Sequence, residues 1–474
     1  MKRALIGFIY ILFLIFNLQS LGAAAYPRLV ASPWAAELGD SGNRAELREL
    51  SRAALLASGT EDEQIPGYLQ RIDLLIENLS PYLAEKSEMP VGEAILHYLH
   101  DELFTVYREP QTRIDITLQN GSYNCVSSAV LYMLLAKSRG LEVEGVVTPD
   151  HAFCRIIDGG GGTDVETTNP YGYNPGEKRE FQNAFGETGF SYVPPGNYRL
   201  RTSIHARELI GLILQNRISL LQRQGRIDLT VPLAVDRHAM SGSERTREEL
   251  RKELINYASV LNGRQEYLEG LAYLDKVREI WGDHQDYLEI IDTLLYNAAV
   301  TMSQQGREEE ILEILSLRTA AGDVREENAI SYRHIVGERM IYRASRNREP
   351  LQSLDLLEEL YGQDLVSNSV HAEYQAILHG MRAQNLARTE GDLSALSYLR
   401  SLSRELRADR RIRQGEEVYA YNAAASYHNR FVELFRAERF PEAESLILEG
   451  LEQLPEASLL KDDLRLVQRM LNRG

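Results

Sequence analysis

Cysteine, tryptophan and long apolar runs are what this 474-residue chain has least of, with two cysteines, two tryptophans and no extended apolar stretch beyond its first residues. So few cysteines exclude a disulfide-stapled scaffold, and a chain of this length buries a core without staples. The lack of further apolar runs of about 20 residues excludes a body that crosses a bilayer. Positive charge is short as well. Lys and Arg number 52 against 69 Asp and Glu, and the net charge of −17 makes nucleic acid a poor partner. No close pair of Cys or His stands at zinc-site spacing. Cys125, Cys154, His151 and Glu166 can be drawn as ligands, but the pattern calls for no metal and no other cofactor.

At the N-terminus, Lys2 and Arg3 precede an apolar stretch from Ala4 to Leu18, followed by the small residues Ala23-Ala24-Ala25. This is the layout of a secretory signal peptide over residues 1–25, cut near Ala25 and Tyr26. It predicts an exported, periplasmic or extracytoplasmic protein with no integral membrane domain after cleavage. The other reading is an uncleaved anchor, for which the run is short.

At 474 residues the length suggests two to four domains. Residues 26–43 show no periodicity, whereas Arg44 to Ala57, Pro66 to Leu83 and Val91 to Tyr107 carry apolar residues at helical spacing. A further helix starts at Cys125 and stops at Arg139-Gly140. Short β-prone runs follow, around Val143 to Val147, Ala152 to Ile157 and Val165 to Thr168. Beyond Thr202 the chain reads as helical to its end.

In that last part, short turns fall at Gly263-Arg264, Gly306-Arg307, Asn347-Arg348, Gly391-Asp392 and Glu438-Arg439, at intervals of 43, 41, 44 and 47 residues. A loose period of this kind is what stacked helical hairpins produce. The last unit resembles a tetratricopeptide repeat, with Ala423 and Ala424 opening one helix and Phe440-Pro441-Glu442-Ala443 the next. The period departs from the ~34 residues of that repeat, and a plain helical bundle is the other reading. Such repeats present a concave groove, so they predict a protein or peptide partner.

Cys125 is the residue that bears most on function. It stands in Gly121-Ser122-Tyr123-Asn124-Cys125, where a turn gives way to the helical run from Ala129 to Ala136. A thiol at a helix start lies near the positive end of the peptide dipole, a setting suited to nucleophilic chemistry. His151 lies 26 residues on, and Asp164 and Glu166 follow a glycine run that permits a hairpin. A nucleophile, a base and a carboxylate to orient it therefore come in order. A disulfide between Cys125 and Cys154 is the competing reading for an exported protein. Strand alternation opposes it by turning Cys154 away from the face of His151.

The cysteine on a helix, the histidine on the next strand and the acid on the strand after that resemble the transglutaminase-like branch of the papain-related cysteine enzymes. The preceding helix, the Asn124-Cys125 start and the Gly140-Leu141 step add to the likeness, over roughly residues 91 to 202. The resemblance implies an α+β transglutaminase-like domain followed by an all-α helical-hairpin repeat domain. The expected division is 1–25 signal, 26–90 N-terminal helical segment, 91–202 transglutaminase-like domain and 203–474 tetratricopeptide-like domain.

It also implies Cys125 as nucleophile, His151 as general base and acid, and an orienting acid on the third strand. Family members carry Asp with Thr two positions later. Here Glu166 stands in that relation to Thr168, which makes Glu166 the choice and Asp164 the rival. Gln119 is either a side-chain donor to an oxyanion, as a glutamine is in papain-like enzymes, or a solvated loop residue. Asn169 to Gly176 and Tyr192 to Gly196 are turn-rich segments that either line a cleft or pack on the surface. The expected function is hydrolysis or acyl transfer at amide or peptide bonds, and the alternative is an inactive scaffold with the same fold.

Overall fold

The computed structural model describes residues 26–149, 151–159, 161–175 and 200–472. The expected signal segment and the Tyr192 to Gly196 turn lie outside them. Contacts divide the chain into two units, one through Ile290 and the other from Ile291. The boundary expected at 202 therefore falls inside the first unit. The protein is mostly helical with a small antiparallel sheet. Among the described residues no helix is long and apolar enough to cross a membrane.

The first unit opens with α1 (Pro33–Ser41), α2 (Leu47–Ser58), α3 (Ile65–Glu85) and α4 (Val91–Glu102). The helix expected to run from Val91 to Tyr107 stops five residues early. Phe104 turns back to bond Leu99, and Val106–Tyr107 becomes a strand, β1, paired in parallel with β2 (Ser122–Tyr123). Between them lies a short helix without a counterpart in the sequence reading, α5 (Ile114–Asn120). Gly121 ends it at φ 74°, where a Cβ would sit 2.4 Å from the Leu103 carbonyl oxygen, so only glycine fits.

Helix α6 (Cys125–Ser138) is the centre of this unit. Every residue from Val126 to Ala136 is buried, as a helix apolar on all sides must be. It is packed against α2, α4, the sheet and α7 (Ala206–Arg223). The sheet holds β3 (Val143–Val147), β4 (Ala152–Ile156), β5 (Thr163–Val165) and β6 (Thr202–Ile204) in the order β5-β4-β3-β6, all antiparallel. Helices α8 (Thr230–Ser241), α9 (Glu244–Gly263) and α10 (Tyr267–Trp281) follow, and α7 lies on β3, α2 and α8. One apolar cluster runs through the unit, from Ala35 to Met240.

The division between the units falls within α11 (Gln285–Gln304). The second unit continues with α12 (Glu308–Ala320), α13 (Glu326–Asn347), α14 (Pro350–Gly362), α15 (Asn368–Thr389) and α16 (Asp392–Ser401). It ends with α17 (Arg404–Arg407), α18 (Arg410–Arg436), α19 (Phe440–Gln453) and α20 (Ser458–Leu471). Each of the five expected turns separates two helices, the first of them, Gly263-Arg264, in the first unit, and from α12 onward successive long helices pack on each other. Ala423, Ala424 and Ala443 are buried where α18 meets α19, as close helix approach requires.

Candidate active site

Local sequence fixes the first residue of α6 tightly. Asn124 is the N-cap, and its Oδ1 accepts the N–H groups of Val126 and Ser127, both at 3.0 Å. The Ser127 hydroxyl in turn accepts the Asn124 N–H at 2.9 Å, which completes a reciprocal capping box. Asn124 Nδ2 donates to the Glu109 carbonyl at 2.9 Å and so ties the helix start to the preceding loop. Cys125 occupies the first helical position, with its N–H bonded to nothing among the described residues. That N–H is one of the donors a helix start leaves over.

His151 precedes β4 rather than lying in it. Val147 pairs with Ala152, and the Thr148 N–H donates to the His151 carbonyl at 2.9 Å, so His151 closes the β3–β4 hairpin. Glu166 likewise lies one residue past the end of β5. The chain leaves the ladder there because Gly172 folds back under it, accepting the Glu166 N–H at 2.8 Å. A Cβ on Gly172 would stand 2.0 Å from the Glu166 carbonyl oxygen, so this return is closed to any other residue.

The two side chains meet: His151 Nε2 is 2.6 Å from Glu166 Oε2, and both residues are buried. The other carboxylate oxygen accepts the Thr168 hydroxyl at 2.7 Å and the Thr168 N–H at 3.1 Å. With Nε2 held by Glu166, Nδ1 is buried without a hydrogen-bond partner among the described residues, while the ring lies close enough to Cys125 for the two groups to interact. This is the looseness expected of a nucleophile–base contact with no substrate in place.

Electrostatics bind the pair further. Burial alone would depress the His151 value, but the Glu166 charge, the neighbouring Cys125 and the Glu166 hydrogen bond carry it above its ordinary 6.5. Burial alone would raise Glu166, and there the His151 charge and the Thr168 hydrogen bonds prevail and lower it below 4.5. The pair is thus an imidazolium beside a carboxylate at neutral pH.

Asp164, the rival, is elsewhere. Its partners are Arg155 at 3.3 Å, directly across from it in the β4–β5 register, and Arg201 at 2.7 Å. Gln119 is exposed on α5 and does not line the cavity at Cys125. Both cysteines are free thiols. Cys154 is fully buried, its S–H donates to the Ala129 carbonyl at 3.3 Å, and burial pushes its value far up, so it is inert. Among the described residues no three His, Cys, Asp or Glu side chains gather as metal ligands.

A second layer was missed in the sequence reading. His100 on α4 donates Nε2–H to the Thr167 carbonyl at 3.1 Å, and burial lowers it to about 4, so the ring is neutral. The Tyr123 hydroxyl donates to the Thr168 carbonyl at 3.3 Å, and Ser128 on α6 meets the Thr167 hydroxyl at 2.8 Å. Two successive carbonyls of the Glu166 loop are thereby held from α4 and β2.

Cys125 and His151 open into a cavity of about 210 Å3. Its other walls are the β3–β4 turn, α7, the end of α8 and the start of α9, with Gln215, Arg237 and Arg245 among the polar groups. The arrangement provides a thiol, a protonated imidazole, an orienting carboxylate and a free N–H around one accessible space. In comparisons with known proteins, no protein-family model and no curated protein matches this chain.

Proposed function

We propose that the chain is a transglutaminase-like cysteine enzyme acting on amide or peptide bonds, with Cys125 as nucleophile, His151 as general acid and base, and Glu166 as the residue that orients His151. The observation that carries this reading is the buried His151–Glu166 contact of 2.6 Å, set against a thiol at the first position of α6. Cys125, as the thiolate paired with the His151 imidazolium, attacks the substrate carbonyl carbon through Sγ, and the carbonyl oxygen takes up charge facing the Cys125 N–H. As the carbon–nitrogen bond breaks, His151 delivers its proton to the leaving amine, which leaves a thioester on Cys125. Water then attacks, giving one proton to His151, and the carboxylic acid departs as the thiolate–imidazolium pair is restored. An amine in place of water makes the outcome acyl transfer.

In this proposal the protein is exported by its N-terminal segment, and the second unit, as tetratricopeptide-like hairpins, holds a protein or peptide substrate. The Ala423, Ala424 and Ala443 contacts and the four turns from Gly306 to Arg439 support the repeat reading.

The test is the reactivity of Cys125 at neutral pH. Alkylation by iodoacetamide, located by peptide mass spectrometry, is expected to exceed the rate of free cysteine and to fall in His151→Ala. A Cys125 that reacts no faster than free cysteine supports the inactive scaffold instead. With an amide substrate in hand, Cys125→Ala is expected to abolish turnover, and unchanged turnover would sink the catalytic role.

A further inference from the structure

The cavity that Cys125 lines also holds two arginines, Arg237 and Arg245, in a chain whose net charge is −17. Arg237 is largely buried, donates from one terminal nitrogen to Gln215 Oε1 at 2.8 Å and with the other meets Glu249. Arg245 reaches the same Glu249 only through Nε, at 3.2 Å. One carboxylate thus serves two guanidinium groups. Glu208, the acid of the lining, has both oxygens engaged, one by the His205 N–H at 3.1 Å and one by the Ser241 hydroxyl at 3.0 Å. It caps α7, which holds both of its oxygens toward the helix start and the Ser241 hydroxyl.

Gly211 shows that the space is kept open. It lies within the 18-residue helix α7, where glycine costs up to ~1 kcal/mol relative to alanine. A Cβ there would meet only Arg237 Cγ, at the ordinary contact distance of 3.6 Å. Packing does not ask for glycine at this position, and a side chain would project into the cavity that Gly211 lines.

We propose that this cavity binds a carboxylate of the substrate, received by the terminal amino groups of Arg245 while Arg237, braced by Gln215 and Glu249, supplies the charge behind it. The planar guanidinium fork suits a carboxylate, which it binds with two parallel hydrogen bonds. At about 210 Å3 the cavity is smaller than the ~300 Å3 at which sites for drug-sized ligands begin. It suits one or two residues of a peptide, so the substrate is an acidic peptide or one cut near its C-terminus. This rests on the cysteine-enzyme reading in placing substrate at Cys125.

Two alkylating agents of nearly equal size test it, iodoacetate with a carboxylate and iodoacetamide without. The ratio of their rates at Cys125 is expected to fall about threefold in Arg245→Ala, the effect of one partly exposed ion pair. Arg245 projects from the surface of α9, with a side chain 67% exposed, so the variant keeps its fold. An unchanged ratio overturns the carboxylate site. Failure of the enzyme reading is seen separately, as a wild-type iodoacetamide rate no higher than that of free cysteine, and the ratio remains readable in that case. Protection of Cys125 by N-acetylglycylglycine assigns the carboxylate to a chain terminus, and protection by N-acetylglutamylglycinamide assigns it to a side chain. Protection by neither at millimolar concentration overturns the site as well.

Discussion

The two units of this chain are built differently, and the difference explains where chemistry can reside. Within the unit through Ile290 one large apolar cluster joins residues from Ala35 to Met240, and polar contacts close over long separations, such as Arg28 to Asp236 at 2.7 Å. From Ile291 the core is a succession of smaller clusters, one from Ile341 to Leu378, one from Ala376 to Ile412 and one from Leu396 to Val467. Hydrogen bonds there span about one repeat, as from Arg343 to the Ser303 carbonyl or from Arg411 to Glu373. A three-residue constellation needs supports from several directions to hold its geometry, and only a closed core provides them. A serial core suits an extended binding surface instead.

The largest expected effect sets the His151–Glu166 pair against an ion pair of the second unit. Breaking a buried pair by removing one partner costs about 3–5 kcal/mol, so Glu166→Gln should lower the denaturation midpoint strongly. Glu442→Gln, which removes the partner of Arg439 on the surface of α19, should leave the midpoint unchanged. The first effect depends on pH. The lowered Glu166 value gives stability present above the ordinary 4.5 and lost as pH falls through the folded value. The raised His151 value gives stability present below the ordinary 6.5 and lost as pH rises through the folded value. The difference between wild type and Glu166→Gln is therefore greatest between 4.5 and 6.5. A difference that grows outside this window would break the ion-pair assignment.

Next in size is a pair of core truncations that bears on the architecture itself. Leu131→Ala in α6 and Ile447→Ala in α19 each remove a fully buried side chain, at a cost of about 2–5 kcal/mol. In the first unit the loss should lower hydrogen-exchange protection throughout, from α2 to α7, because one cluster spans these elements. In the second it should stay within α16 and α18 to α20, which share the cluster around Ile447. Loss of protection across α12 to α14 in Ile447→Ala would show that the second unit is not serial.

The same contrast governs how much was legible in the sequence. The second unit's turns could be read because each rests on local signals such as Gly391 before Asp392. Helix α6 was legible for the same reason, with Asn124 before it and Gly140 after it. Glu166 was chosen over Asp164 only by its spacing from Thr168. The physical reason Asp164 stands apart is the cross-strand register that sets Arg155 opposite it, and register is a tertiary fact. Helix α7 has the apolar spacing of any hairpin helix, and nothing local says that it packs on α6 and walls the Cys125 cavity. The fold class was thus readable to the extent that elements are local, and the far wall of the site was not.

The smallest effect distinguishes a cap that serves a site from a cap that serves only a helix. Asn124 makes two acceptor bonds to α6 and one donor bond to Glu109, and it is buried. Ser367 makes one bond at the start of α15, to the Val370 N–H at 3.3 Å. Removing a cap costs about 0.5–2 kcal/mol, so Asn124→Ala should fall at the upper end and Ser367→Ala at the lower. Stability alone does not separate the roles, since both variants loosen a helix start. The alkylation rate of Cys125 does, because loss of the Asn124 cap frees the N–H groups that fix the first turn of α6 and lets the thiol drift from His151. Asn124→Ala should therefore slow Cys125 alkylation by more than its stability loss accounts for. Asn124→Ser, which restores an acceptor at the cap, should recover part of that rate, and Ser367→Ala should leave it untouched.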